Sequence, residues 1–431
     1  MSWDKIIQFS GYKDVKLSEE SKVAHIQLVR DERRPVLCYK CGSELTKIHS
    51  FQRMQVDDLP ILEMKTLLNF RRLKGRCSGC KRIRLESVSF LSPTNPKMTS
   101  RFSFLLYKMC AIAPVKNTAE VLGRSSSTFW RNDLKLLEEQ FSKYEIPDVR
   151  LLSVDEVYAR VHHGEDESHS DRFFTVITDL DRRKVVWVGL SRRGSAFDES
   201  FKLLGPERCA KIEAVATDEH GEYGTSMEKF CTNALHIFDR FHFTMHLENA
   251  VNDTRKILRK MLPGSKVHSL AATKYRFIFG KRASSRSAIE ANHIDKIRED
   301  NEAFISLEIA KERLLTFFDT ESEEEAVAIF LEAEKWIKES GLNPMLKFCK
   351  KARRKWAHIS SYFMCKISTG VCKGINNVIK ATKRRAYGFR NMRYFMLKIM
   401  QISGMLSSKY MDLSGNWTSA GREMLLQRKN V

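Results

Sequence analysis

The pattern of apolar and polar positions divides the chain into helical and extended stretches. Apolar residues recur at helical spacing from Ser103 to Ala113, and a short apolar face at Ala119 and Leu122 follows. After Pro147 the pattern changes to short apolar runs that are typical of strands. These runs cover residues 150–156, 172–181, 184–190, 212–218 and 234–239, with a helical stretch over 197–204. The first three runs predict a meander, so the pattern favours a multidomain α+β chain with a mixed α/β sheet.

The composition is that of a folded protein. The 431 residues leave room for roughly two or three domains, and 42% hydrophobic residues with 9 prolines exclude a disordered or fibrous chain. There is no run of about 18 uncharged apolar residues and no signal-peptide pattern at the start, so we expect a cytoplasmic protein without a membrane partner. Four of the 10 cysteines form two C-x-x-C pairs and the others are scattered, which favours a metal site over disulfides.

Positive charge is concentrated in two segments. The formal net charge is +21; residues 30–110 carry 17 Lys/Arg against 7 Asp/Glu, and residues 340–411 carry 16 against none. Residues 290–339 have the opposite balance, with 6 against 15. Basic surfaces bind nucleic acid by releasing its condensed counterions, so we expect the two basic segments to contact DNA phosphates. We expect the acidic segment to be a solvated helical region.

The two C-x-x-C pairs predict a zinc site. Cys38 and Cys41 form the first pair, and Cys77 and Cys80 form the second. Each pair is a turn that aims two thiolates at one ion, and two pairs complete a tetrahedral Zn²⁺ site. The 35 intervening residues include a basic, alternating stretch at 63–73, so a zinc ribbon with a long hairpin is expected. Four unligated core cysteines are the alternative; a redox dithiol is disfavoured because it needs only one pair.

The helical stretch near residue 110 predicts a helix-turn-helix. Gly123 permits a tight turn, and serines 125–127 can cap a second helix that carries Trp130. The front of such a helix reaches base edges and phosphates. The predicted DNA-contacting residues there are Arg124, Ser127, Thr128 and Arg131. The alternative is a three-helix linker in which Trp130 is only a core residue.

Three of the predicted strands end in an aspartate. Asp155, Asp218 and Asp239 each follow or lie within an apolar run, and Asp155 and Asp218 are expected on adjacent strands. Two close carboxylates repel each other unless a cation lies between them, and hard oxygen ligands select Mg²⁺ or Mn²⁺. Such a pair can hold two ions that act on a phosphodiester. The alternative is that these aspartates only cap turns or helices.

Five motifs in this order resemble one family. They are Ser153-Val-Asp-Glu156, Ala216-Thr-Asp-Glu219, Phe238-Asp-Arg-Phe-His242, Gly374-Ile-Asn-Asn-Val-Ile-Lys380 and Lys383-Arg-Arg-Ala-Tyr-Gly-Phe-Arg390. Together they are similar to bacterial insertion-sequence transposases of the ISL-three group. The resemblance implies a zinc finger, a helix-turn-helix and an RNase H-like DDE domain interrupted by an all-helical insertion. It also implies that Asp155 and Asp218 are the first two members of a metal-binding triad that cleaves transposon ends and joins them to target DNA.

The resemblance also implies a domain organisation. The expected parts are an N-terminal segment (1–30), a zinc-ribbon-like DNA-binding domain (31–98), the helix-turn-helix (99–146), the RNase H-like DDE core (147–262), the helical insertion (263–362) and the last catalytic helix with basic C-terminal helices (363–431). In the family context, aromatics interleaved with cations suit DNA contact. The residues concerned are Lys380, Lys383, Arg384, Arg385 and Arg390.

One position departs from the family pattern. The family has a glutamate just before Gly-x-Asn, where this chain has Lys373, and Thr369 replaces the usual asparagine. No carboxylate occurs from residue 340 to 411; the nearest are Glu339 and Asp412. At ~4 Å and an effective dielectric near 20, two unit charges interact by ~4 kcal/mol, so exchanging attraction to Mg²⁺ for repulsion is severe. We therefore expect impaired strand transfer, unless Asp239 or Glu219 supplies the third ligand.

Helical spacing predicts where Lys373 points. It places Lys373, Asn376, Lys380 and Lys383 on one polar stripe. The residues expected on the opposite, apolar side are Ile375, Val378, Ile379 and Thr382. Lys373 should then point where the family glutamate would.

Two histidines, His242 and His246, have a spacing that could hold a metal. Packing or backbone positioning is favoured for them, because magnesium sites prefer oxygen ligands.

The sequence thus predicts a DNA transposase that acts on its element's inverted repeats. The alternative is a catalytically inactive, transposase-derived DNA-binding protein. An RNA-processing nuclease is disfavoured, because a helix-turn-helix suits the major groove of B-form DNA. The expected partners are double-stranded DNA, as transposon ends and as target, and further copies of the chain in a dimer or higher oligomer, with nucleoid association.

Overall fold

The computed structural model describes residues 9–159, 172–218, 221–299, 301–367 and 370–406. The fold is α+β, with two mixed sheets and many helices, as the sequence pattern predicted. The chain divides into two compact units. Of the described residues, the first unit contains 9–145 and 378–406, and the second contains those from 146 to 377.

A five-stranded sheet forms the base of the first unit. Its strands are β1 (Tyr12–Glu20), β2 (Val23–Arg30), β3 (Leu45–Ile61), β4 (Met64–Cys77) and β5 (Ile83–Leu85). The order is β1-β2-β4-β3, and β5 also pairs with β4. The long antiparallel hairpin β3/β4 lies between the cysteine pairs, as predicted. Because β2 pairs with β4, this sheet extends across the expected boundary at residue 30.

The helices that lie wholly in the first unit, within the described ranges, are α1 (Ser100–Ile112), α2 (Val115–Val121), α3 (Ser126–Phe141) and, near the far end of the chain, α16 (Met392–Ile402). Thr99 starts α1, because its side chain accepts a hydrogen bond from the amide of Phe102. Gly123, with φ of 59°, makes the turn between α2 and α3 in a conformation that costs other residues energy. The buried side chains between these helices include Phe102, Leu106 and Phe129.

The second unit is built on another five-stranded sheet. Its strands are β6 (Leu151–Tyr158), β7 (Phe173–Asp179), β8 (Lys184–Gly189), β9 (Ala214–Thr217) and β10 (Leu235–Phe238), in the order β10-β9-β6-β7-β8. The antiparallel pairing of β6 with β7 and of β7 with β8 confirms the predicted meander. β9 and β10 join it as parallel strands, which require crossover connections.

Helices make those connections. They are α4 (Gly194–Leu204) and α5 (Pro206–Cys209) before β9, and α6 (Gly221–Phe230) between β9 and β10; α7 (Arg240–Lys260) follows β10. Helix α15 (Gly370–Arg385) begins in the second unit and ends in the first.

The acidic part of the chain is helical, as expected. Its helices and their neighbours are α8 (Lys266–Leu270), α9 (Arg276–Gly280), α10 (Ala288–Arg298), α11 (Glu302–Thr316), α12 (Glu323–Glu339), α13 (Asn343–Arg354) and α14 (Trp356–Met364). These helices share one apolar core with α7. Ser322 caps α12, and the glutamates of its first turn stabilise the positive end of the helix dipole. No helix in the described ranges is long and apolar enough to cross a membrane.

Candidate functional site

Three aspartates form a row at one edge of the second sheet. β9 lies between β6 and β10, and all three are parallel. Ser153 pairs with Ala216, so two residues further along Asp155 lies level with Asp218. The amide of Asp239 donates to the carbonyl of Thr217 at 2.9 Å, which brings Asp239 level with Asp218 from the other side. We call Asp155, Asp218 and Asp239 the aspartate row.

Asp155 is held by two hydrogen bonds. Its Oδ1 accepts from the amide of Glu156 at 2.7 Å, and its Oδ2 accepts from Nδ2 of Asn376 in α15 at 2.5 Å. Burial raises the pKa of Asp155, and the charges of Asp218 and Asp239 raise it further. The Glu156 amide and His242 oppose that rise in pKa. Asp155 is thus a partly desolvated carboxylate near other negative charges, an environment that a cation relieves.

The aspartate row does not converge on one point. Within the described ranges, only the four cysteines form a group of three or more metal-ligating side chains compact enough to share one ion. Asp239 also has a structural task, because its Oδ1 caps α7 by accepting from the amide of Phe241 at 3.0 Å. That contact is the capping role that the sequence left open for a strand-end aspartate. Glu219, the other suggested third ligand, lies outside the described residues.

Helix α15 presents a different face from the one predicted. Cys372, Asn376 and Ile379 are buried, at the i, i+4, i+7 spacing of one helix face. The predicted polar stripe is therefore not uniformly exposed, because Asn376 is buried whereas Lys373 and Lys380 are exposed. The Asn376 amide is buried because it binds Asp155, whereas Val378, expected on the apolar side, is 44% exposed.

Lys373 lies beside this buried face. It is exposed, and its Nζ lies 3.4 Å from the ring centre of Phe241, two residues beyond Asp239. Lys373 and Asn376 are three residues apart and are therefore neighbours on the helix surface. A cation thus occupies the margin of the aspartate row. Thr369, the other departure from the family pattern, lies outside the described residues, as does Asp412.

Sequence reasoning missed the role of Asn376. The chain contains the signal, because Cys372, Asn376 and Ile379 follow the spacing of a buried face. Of the two histidines, His246 has its Nε2 3.4 Å from Nζ of Lys351, and His242 opposes the rise in the pKa of Asp155.

The four predicted zinc ligands come together in the first unit. The Sγ atoms of Cys38, Cys41, Cys77 and Cys80 all lie within 4.8 Å of one another. The two turns have the same form, since the amide of Gly42 donates to the carbonyl of Cys38 at 2.9 Å and that of Lys81 to Cys77 at 3.0 Å. Hydrogen bonds from Ser43 lower the pKa of Cys41 to about 6, which favours the thiolate that binds metal. This set of donors fits a structural Zn²⁺.

The predicted DNA-contacting residues near α3 differ in their exposure to solvent. Ser127 and Arg131 are exposed at the start of the helix, and Thr128 is half-buried. Arg124 is not available, because its Nε donates to Asp57 at 2.9 Å and its side chain is only 7% exposed. A DNA contact by Arg124 would require that ion pair to break.

The basic residues at the end of α15 are mostly exposed. Lys380, Arg384 and Arg390 face solvent, and Lys383 is half-buried, which lowers its pKa. Arg385 is exposed as well, and its Nη2 donates to the carbonyl of Ile112 at 2.6 Å. Most of this group is therefore accessible to a polyanion.

Comparison with known proteins decides the family. The model of the ISL3 (ISL-three) transposase family, described as "Transposase", matches residues 152–399, more than half of the chain. The chain belongs to this family. The transposase for insertion sequence element IS1001 of Bordetella parapertussis is 24% identical over 369 residues, covering 84% of this chain and 88% of that protein. The transposase for insertion sequence element IS1557 of Mycobacterium tuberculosis (strain CDC 1551 / Oshkosh) is 21% identical over 268 residues, covering 57% of this chain and 58% of that protein.

Proposed function

We propose that this ISL3-family transposase binds the inverted repeats of its own insertion sequence, cleaves them and joins them to target DNA. Asp155 and Asp218 are the proposed metal ligands, with Mg²⁺ or Mn²⁺ as the cofactor. The observation that carries the proposal is the aspartate row, level across three parallel strands and fixed at Asp155 by Asn376.

Each residue has a proposed task. Bound divalent ions would lower the pKa of a water or a 3′ hydroxyl and offset charge on the leaving oxygen of the phosphodiester. Asn376 orients Asp155 by using its amide on one carboxylate oxygen. Asp239 caps α7 through Oδ1 and is the proposed substitute for the missing third acid.

Lys373 weakens the site in this proposal. Its ammonium lies where the family pattern has a carboxylate, and it is held over Phe241 at the margin of the aspartate row. Positive charge there opposes the binding of divalent ions. Strand transfer by this chain is therefore proposed to be impaired.

DNA binding is assigned to three basic regions. They are the zinc-ribbon domain with its β3/β4 hairpin, the exposed front of α3 as a recognition helix, and the end of α15 with Arg390. The proposed RNase H-like DDE core at 147–262 and the proposed helical insertion at 263–362 keep the boundaries expected from the sequence. Joining two transposon ends requires at least two recognition modules, so the proposed active form is a dimer or higher oligomer.

The test uses purified chain, end-labelled duplexes from the sequences that flank the reading frame, and Mg²⁺ or Mn²⁺. The proposal expects weak, metal-dependent nicking by the unmodified protein, none by Asp155→Asn, and strong cleavage by Lys373→Glu. DNA binding by all three proteins should be similar at matched salt. Cleavage by Asp155→Asn at the unmodified rate would overturn the proposed metal site.

A catalytically inactive DNA-binding protein is the second candidate. The absence of any Asp or Glu from residue 340 to 411 favours it, because no side chain there can replace the family's glutamate. This candidate expects salt-sensitive binding to the element's ends without cleavage in either metal.

A further inference from the structure

The first unit contains a cavity that neither the metal site nor the zinc site uses. Its volume is about 590 Å³, and it lies between the end of α1, the start of α2, and the segment from Thr382 to Ile402. Three aromatic side chains line it: Trp130, Phe389 and Tyr394. The ring centres of Trp130 and Tyr394 are 5.9 Å apart, and so are those of Phe389 and Tyr394. The cavity is therefore of ligand size and has flat apolar walls.

A buried hydrogen-bond network fixes one of these walls. The Tyr394 hydroxyl donates to Oδ2 of Asp133 at 2.5 Å, and Nζ of Lys398 donates to the same oxygen at 3.0 Å. Lys398 also donates to Gln401 at 2.6 Å. Asp133 and Lys398 are almost fully buried, so this network fixes the orientation of the Tyr394 ring in the cavity wall.

The cavity is electrostatically matched to a phosphate-bearing ligand. Lys116, Arg385 and Arg390 line it beside the aromatic rings, and no carboxylate is among its described lining residues. Arg385 is braced by its hydrogen bond to the carbonyl of Ile112. Flat apolar walls with cations beside them suit a nucleobase and the phosphates that flank it.

An exposed aromatic residue stands next to the cavity. Tyr387 is 99% exposed and has φ of 53°. It follows the end of α15, where the amide of Tyr387 bonds to the carbonyl of Arg384 at 3.0 Å and that of Gly388 to Lys383 at 2.9 Å. These two bonds form a Schellman motif, whose left-handed position is usually glycine. A non-glycine residue in this conformation strains the backbone, and such strain at a bulky, fully exposed side chain indicates a functional role.

We propose that the cavity receives one nucleobase everted from duplex DNA, while Tyr387 stacks into the gap that the base leaves. This inference rests on the proposed DNA binding and adds a site for a single base. Proteins that evert a base hold it between aromatic side chains, and apolar wedges unstack a duplex. Here the proposed wedge, Tyr387, and part of the cavity wall lie in one short segment, since Gly388, Phe389 and Arg390 line the cavity directly after Tyr387.

The test compares binding to two fluorescein-labelled duplexes that differ at one position. One is fully paired, and the other has an abasic site that leaves the opposite base unpaired. Everting an unpaired base costs less free energy than everting a paired one. The full-length protein should therefore bind the abasic duplex about tenfold more tightly than the fully paired duplex. Fluorescence anisotropy at fixed salt measures both dissociation constants.

Two variants separate the wedge from the cavity. Tyr387→Gly suits the left-handed backbone, so it should fold at least as well while losing the preference for the abasic duplex. Ala386→Phe narrows the cavity and should reduce the preference while Tyr387 is retained. Tyr387→Phe, which keeps the ring, should preserve the preference and serves as the matched control.

The outcomes distinguish this inference from the function it rests on. Equal affinity of the unmodified protein for both duplexes overturns base eversion but leaves DNA binding intact. Binding to neither duplex overturns both. A preference that persists in Tyr387→Gly and Ala386→Phe overturns the assigned site. A change in oligomeric state in Ala386→Phe, with the preference unchanged, identifies the cavity as a protein contact and also overturns the proposal.

Discussion

Reversing the charge of Lys373 is the most direct test of the proposed metal site. In Lys373→Glu, the ammonium over Phe241 is replaced by a carboxylate at the margin of the aspartate row. The change removes a cation–π contact, which at an exposed position is worth about 0.5–1 kcal/mol of folding stability. Thermal stability should therefore fall only slightly.

The expected gain in metal affinity is much larger. Two unit charges ~4 Å apart interact by ~1 kcal/mol in bulk water and by ~4 kcal/mol at an effective dielectric of 20. Lys373 is exposed, so the lower limit applies to it. A separation of ~4 Å between the side chain and the ion sets the upper limit of the effect. Changing the side chain from +1 to −1 against a divalent ion then changes the interaction by four times the unit-charge value, or ~4 kcal/mol, which is at most nearly a thousandfold in dissociation constant.

Isothermal titration calorimetry with Mn²⁺ in the absence of DNA measures this effect directly. Lys366→Glu is the matched control, because Lys366 is an exposed lysine in the same unit and its Nζ donates to the carbonyl of Thr320 at 3.5 Å. A gain below about tenfold, or the same gain in both variants, would refute the assignment of position 373 to the metal site.

Three further predictions concern other parts of the chain. Cys77→Ser should abolish stoichiometric zinc in metal analysis, and a chelator should lower the melting temperature of the unmodified protein but not of the variant. Burial lowers the pKa of His236 from its ordinary 6.5 to about 4. As the pH falls from 6.5 to 4, the imidazole of His236 therefore binds a proton in the unfolded chain before it does so in the folded protein, which favours unfolding. The free energy of unfolding should then drop by at most about 3 kcal/mol between those pH values, and urea titrations of His236→Gln should show a flatter profile. Lys398→Met leaves the Asp133 carboxylate buried without its cation and should lower the free energy of unfolding, measured with urea, by about 3–5 kcal/mol. Adding Asp133→Leu to this variant should restore part of the lost stability. A double variant no more stable than Lys398→Met would contradict this prediction.

The sequence predicted the elements better than the contacts between them. Apolar runs that end in Asp155, Asp218 and Asp239 were enough to place strands, because each run has the length and pattern of a buried strand. Their alignment depends on the parallel pairing of β9 with β6 and β10, which is a long-range property. The row was therefore expected only in part, for Asp155 and Asp218.

The misplaced residues share one physical cause. Asn376 and Arg124 are polar, and pattern reasoning assigned Asn376 to a polar stripe with the lysines of α15 and Arg124 to the DNA-contacting front of a helix. Each is instead turned inward by a partner that is distant in sequence: Asp155 for Asn376, and Asp57 for Arg124. A buried polar group is stable only when such a partner exists, and a single sequence does not identify it.

The joining of α3 to α16 has a consequence for shortened forms of the protein. The first unit needs both residues 9–145 and residues 378–406, and Asp133 of α3 finds its cation and its hydroxyl donor on α16. A product of premature termination ahead of Met392 would keep the zinc ribbon and α3 but expose the face that α16 covers. We therefore expect such a shortened chain to fold less stably than the full-length chain, because Asp133 would lose both of these partners.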